Sequence, residues 1–256
     1  MSTPYDHTFD FVTVNGVALH ARLQGDPSHP VLALINMASH NLHSWEPAVP
    51  ALLAHFRLLR FDLRGTGKSG SGKAEEFTFS RYADDLCGLM DHYEVQQAFV
   101  LGVAYGARTA ARFALHHPER LSALCLADVS LRPPVAQTGQ RALAEEARQQ
   151  LVAADEPAPE PQKYWRFYED REAARLTHTA HEGEPDLTTE LASVQVPALV
   201  LCGRQDLNLD EARRVAAALP AAELVIMEMT GHGSPLFRPA LFATEVIEFA
   251  RRTGVL

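Results

Sequence analysis

Residues 99–107 constrain this chain more than any other stretch. Phe99, Val100 and Leu101 form a continuous apolar run, Gly102 and Gly106 stand two residues either side of Ala104, and a segment of helical period follows. The pattern predicts a buried strand that enters a helix through one sharp turn. Position 104 then sits in a strained backbone conformation, and a Cβ two residues before or after it would collide with the strand or the helix. The glycines supply the room. Such strain costs about 1–3 kcal/mol and persists where the surrounding structure enforces it.

Six continuous apolar runs, 31–35, 58–61, 98–101, 123–127, 198–202 and 223–228, alternate with segments of helical period. That order predicts an α/β fold with a mostly parallel sheet covered by helices on both faces. Residues 8–14 and 17–24 alternate apolar and polar around Asn15-Gly16, a strong hairpin signal, so an antiparallel pair opens the sheet and makes it eight-stranded. Active groups in such sheets gather beyond the carboxyl ends of the strands, and Ala38, Ala104, Asp206 and His232 each follow one. Between Arg132 and about Ser193 the pattern breaks. Residues 141–154 have helical period, the proline-rich stretch 156–161 stops any helix, and an aromatic segment with Trp165, Phe167 and Tyr168 follows.

Composition narrows the function classes. A chain of 256 residues with 46% hydrophobic content can bury one enzyme-sized core. A net charge of −9 disfavours nucleic acid as a partner, because phosphate binding needs clustered Lys and Arg. Cys87, Cys125 and Cys202 lie in apolar contexts without paired spacing and read as reduced thiols. The first residues lack the blocks of a signal peptide, and no apolar run approaches the roughly 18 residues of a membrane span. The expectation is a cytoplasmic protein that acts on a small molecule, with no membrane or nucleic-acid partner. His40-x-x-His43 and His178-x-x-His181 lack further ligands, so no metal or other cofactor is expected. The oligomeric state stays open.

Five motifs in order resemble those of the α/β-hydrolase family, and most of all its 3-oxoadipate enol-lactonase group. Residues 34–45 leave a strand and resemble an oxyanion loop in which Asn36 replaces a commoner His-Gly. Residues 62–69 match the loop D-x-R-G-x-G-x-S. Residues 102–106 match the nucleophile elbow G-x-S-x-G with Ala104 in place of serine. Gly203 to Asp206 ends a strand where the family keeps its acid, and Gly231-His232-Gly233 follows the last strand like the family's histidine.

The resemblance implies a core of residues 1–131 and 194–256 and a short helical cap of two to four helices over 132–193. It also implies roles. Asp206 orients His232, with Asp128 as the competing acid, and the backbone N–H groups of Ala38 and Tyr105 face a developing oxyanion. His40 and Trp165 are candidates for substrate contact, although Trp165, Phe167 and Tyr168 equally suit a staple between cap and core. Asp62 and Arg64 suit loop bracing, and Arg108 suits solvent or a core carboxylate. Three readings of Ala104 stand side by side. One is a hydrolase of small esters or lactones whose serine has been removed, by design or by descent. Another is a cofactor-independent oxygenase that uses the His232–Asp206 pair as a base. The last is a ligand-binding protein without turnover.

Overall fold

The computed structural model describes residues 9–132, 138–158, 160–166 and 170–256. Of the cap expectations, Phe167 and Tyr168 lie outside the described residues, as does the start of the chain.

The strands are β1 (Asp10–Val14), β2 (Val17–Gln24), β3 (Val31–Ile35), β4 (Arg57–Phe61), β5 (Ala98–Val103), β6 (Leu121–Ala127), β7 (Ala198–Gln205) and β8 (Ala222–Gly231). They form one eight-stranded sheet in the order β1-β2-β4-β3-β5-β6-β7-β8. The opening hairpin is antiparallel and joins β4 antiparallel, and every pairing from β4 to β8 is parallel. Asn15 and Gly16 turn the hairpin at φ 48° and 81°, the conformation a two-residue loop demands.

The helices are α1 (Val49–Leu53), α2 (Phe79–His92), α3 (Tyr105–His116), α4 (Gln140–Ala153), α5 (Arg171–Thr179), α6 (Leu209–Ala218), α7 (Ser234–Phe237) and α8 (Pro239–Arg252). Successive residues of a buried strand point to opposite faces. Ala33 and Ile35 accordingly join a core with α2, α3 and α6, while Leu32 and Leu34 join a core with α1 and α8. Between β6 and β7 lie α4, a single helical turn at Lys163–Arg166 and α5. Ala144, Ala147 and Leu151 of α4 pack on Phe237 and Met229. That contact seats α4 above the carboxyl end of β8.

The loop braces follow the sequence reading in part. Arg64 is fully buried and binds both carboxylate oxygens of Asp85, at 3.0 and 2.9 Å, as well as Glu76 at 2.8 Å. Asp62 accepts from the amides of Leu42 and Lys68 and binds His20. Arg108 takes neither expected partner. Its buried guanidinium donates to the carbonyls of Ser130, Arg132 and Pro185, tying the segments that leave and re-enter the sheet to α3. Cys87, Cys125 and Cys202 are free thiols.

Candidate active site

The turn after β5 has the strain its sequence requires. Ala104 lies at φ 52°, ψ −106°. A Cβ on Gly102 would stand 2.1 Å from the Gly106 carbonyl oxygen, and one on Gly106 would stand 2.4 Å from that of Ile35. Close approach of β5, α3 and β3 therefore excludes any side chain at either position. Tyr105 is the first residue of α3, so its N–H has no intrahelical acceptor and sits at the positive end of the helix dipole. Its phenol points away, donating to the carbonyl of Thr177 at 2.6 Å and so fastening α5 to the core.

The loop after β3 forms the facing wall. Asn36 braces it: its amide donates to the Phe61 carbonyl and its oxygen accepts from the Trp45 indole, both at 2.8 Å. Ser39 turns at φ 62° and His40 N–H reaches back to the Met37 carbonyl at 3.2 Å. This turn sets Met37, Ala38 and His40 on the wall of a cavity of about 310 Å³.

His232 and Asp206 meet from adjacent strand ends. A bulge between Gly203 and Gln205 lets β8 cross close to β7, and a Cβ on Gly203 would stand 2.2 Å from the Thr230 carbonyl oxygen. Past that crossing, His232 Nδ1 lies 2.9 Å from Asp206 Oδ2, and the Asn208 amide donates to Asp206 Oδ1 at 2.9 Å. Burial alone would lower the histidine's pKa, but the Asp206 hydrogen bond and the charges of Asp206 and Asp128 outweigh it and raise it to about 9. The ring still keeps 32% of its surface exposed, toward the cavity.

Asp128 does not contact the ring as the competing acid would. Its Oδ2 accepts from the amides of Gly233 and Ser234 at 3.0 and 2.6 Å, and its Oδ1 from Gly203 at 3.4 Å. Burial, and then the charge of Asp206, push its pKa up to about 6. Asp128, Cys202 and Asp206 bring three ligand-type atoms within 4.8 Å of one another, but the two carboxylates are already engaged by these N–H donors.

The cavity is lined by Ala38, His40, Ala104 and His232 below and by Gln140, Arg141, Arg148 and Arg166 above. Three arginines and, among the described residues, no acidic residue line it, in a chain of net charge −9. His40 donates from Nδ1 to the Ala38 carbonyl at 2.9 Å, and Arg166 Nε approaches its Nε2 at 3.4 Å. Burial, with the Arg166 and His232 charges, lowers His40 to about 4 and keeps it neutral, so Nε2 is free to accept from Arg166. Trp165 is buried and does not line this cavity. Its carbonyl accepts from the Asn41 amide at 2.8 Å, so its place is that of the staple, and Arg166 beside it holds the cavity wall.

Residues 30–163, more than half of the chain, match the family described as alpha/beta hydrolase fold. The chain belongs to the α/β-hydrolase family. The 3-oxoadipate enol-lactonase 2 of Acinetobacter baylyi is 27% identical over 224 residues, covering 79% of this chain and 81% of that protein. Among solved structures, the enol-lactonase from Burkholderia xenovorans superposes with a TM-score of 0.77 at 27% identity, over 95% of this chain and 100% of that one. A hydrolase from Pseudomonas aeruginosa gives 0.76 at 27% identity, over 96% and 99%. No helix among the described residues is long and apolar enough to cross a membrane.

What sequence reading of this α/β-hydrolase missed is the cationic roof. Arg141 and Arg148 are seven residues apart, a spacing that sets two side chains on one helix face. That signal was available but lay inside a segment that reads as a generic charged helix.

Proposed function

We propose that this site belongs to a hydrolase of small esters or lactones bearing an anionic group, in which Ala104 stands where the attacking oxygen would be. The observation that carries the reading is the pairing of His232 with Asp206 at 2.9 Å beside a cavity that Ala104 also lines. In acyl transfer a hydroxyl at 104 attacks the acyl carbon and His232 Nε2 takes its proton. Asp206 steadies the imidazolium while the amides of Ala38 and Tyr105 receive the oxyanion. The guanidiniums of Arg141, Arg148 and Arg166 support an anionic substrate, since planar donor forks suit carboxylates. The enol-lactonase relatives add support for a lactone.

As written, the chain binds such a substrate and turns it over slowly, because loss of the nucleophile lowers turnover on the order of 10⁴ to 10⁶. Ala104→Ser tests the reading: it restores hydrolysis of small acidic lactones and aryl esters, followed by release of acid, and no gain over the alanine form overturns it. The oxygenase reading has less support. Both readings need His232 to lose its proton first, so its raised pKa does not separate them, whereas the enol-lactonase relatives favour a hydrolase.

A further inference from the structure

His232 sits just past β8, on a turn that must hold its ring still while a proton passes, yet one hydrogen bond donated to Asp206 leaves the ring free to swing about it. The backbone after the ring is where a second restraint acts. Gly233 is at φ 88° and opens α7, a helix of a single turn. The amides of Gly233 and Ser234 both converge on Asp128 Oδ2.

Asp128 is itself gripped. It is fully buried at the end of β6 with φ 50°, in the left-handed region that a non-glycine residue occupies at some cost. Its N–H donates to the Leu201 carbonyl at 2.8 Å, and its carbonyl accepts from the Asn208 side chain at 3.1 Å. One side chain thus joins the ends of β6, β7 and β8. The groups that face it are Asp206, Cys202 and Cys125, together with His232 across the Gly233 turn.

We propose that Asp128 is a positioning residue for His232, acting through the amides of Gly233 and Ser234, so that carboxylates on two different strands fix the ring. The proposal deepens the acyl-transfer reading, in which His232 carries the proton. Its primary readout is taken without substrate, so its failure is distinguishable from failure of that reading.

The test is Asp128→Asn in the full chain, followed by NMR of His232. The hydrogen-bonded Nδ1 proton broadens or is lost, and the ring's titration midpoint falls by at least about half a unit, a threefold change in the protonation ratio. A folded Asp128→Asn protein with an undiminished Nδ1 signal overturns the proposal, because loss of the Asp128 charge by itself lowers the midpoint. Where that variant does not fold, the unsubstituted protein answers. The Gly233 and Ser234 amides and the His232 ring nitrogens shift together as Asp128 titrates near pH 6, and flat ring-nitrogen curves overturn it. With Ala104→Ser restored, Asp128→Asn also lowers kcat on the plateau above about pH 9, where His232 is already neutral and loss of the Asp128 charge alone leaves kcat unmoved.

Discussion

Two of the His–Asp pairs among the described residues have nearly the same bond: His20 to Asp62 at 2.8 Å and His232 to Asp206 at 2.9 Å. Their surroundings differ. The His20 side chain is 5% exposed and its ring lies against Phe9 and Phe11, with centroids 4.9 and 5.3 Å away. Asp62 spends its remaining capacity on the amides of Leu42 and Lys68. A hollow of about 290 Å³ reaches this pair, but its walls are Asn41, His43, Gly67, Lys68 and Tyr164, and neither Ala104 nor α3 lines it. The hydrogen bond therefore does not make a site. What distinguishes His232 is an outer nitrogen turned to a cavity that also receives a strained turn and the start of α3.

The largest effect that could break this distinction is on turnover. In the Ala104→Ser protein, His232→Gln returns hydrolysis to the level of the alanine form, a loss on the order of 10⁴ or more, while His20→Gln leaves kcat within about twofold. Steady-state kinetics on an aryl ester checks both, and equal losses would erase the contrast.

Next in size is the roof. Arg141→Gln in the same background raises KM for an acidic ester about 10- to 100-fold and leaves a neutral ester nearly unchanged, since a charged hydrogen bond contributes about 1.5–3 kcal/mol. The pH profile sharpens the comparison further. His232 accepts a proton once it has lost its own, so kcat/KM of Ala104→Ser rises about tenfold per pH unit and levels near pH 9.

Stability gives the smallest effects. Asp62→Asn lowers it by about 1–3 kcal/mol in a urea titration, from buried amides left poorly matched. His232 acts with pH instead. Its pKa is 6.5 when unfolded and about 9 when folded, so its stabilising contribution is whole below about 6.5 and is lost as pH rises toward 9. In His232→Gln that decline between pH 6.5 and 9 disappears.

Much of the frame was legible because a doubly covered parallel sheet leaves continuous apolar runs and a tight hairpin leaves Asn-Gly. Helix α4 was foreseen within one residue, since Ala, Glu, Gln and Arg favour helix and the prolines after it stop one. Glycines 102 and 106 were readable as points of contact because crowding there admits nothing larger, whereas the close approach at Gly203 was not. Arg108 was not legible. Its partners are carbonyls distant in sequence, and carbonyls leave no trace in residue identity. Asp128 misled for a related reason: a carboxylate at a strand end looks alike whether it serves a ring or two amides. Trp165 drew the eye as an aromatic, while Arg166 beside it took the cavity wall.

The strand order carries a consequence for how such a protein can change. Ala104 follows β5, whereas Asp206 and His232 follow β7 and β8, so the elbow and the acid are two strand spacings apart, about 10 Å, with β6 between them. No loop sets that span. It is a property of the sheet's lattice, and a one-residue slip of any of these strands would scatter the constellation. Segments above the sheet face no such demand: α4 and the turn at 163–166 can be exchanged for others, and a new ligand preference acquired, while the chemistry beneath stays in step.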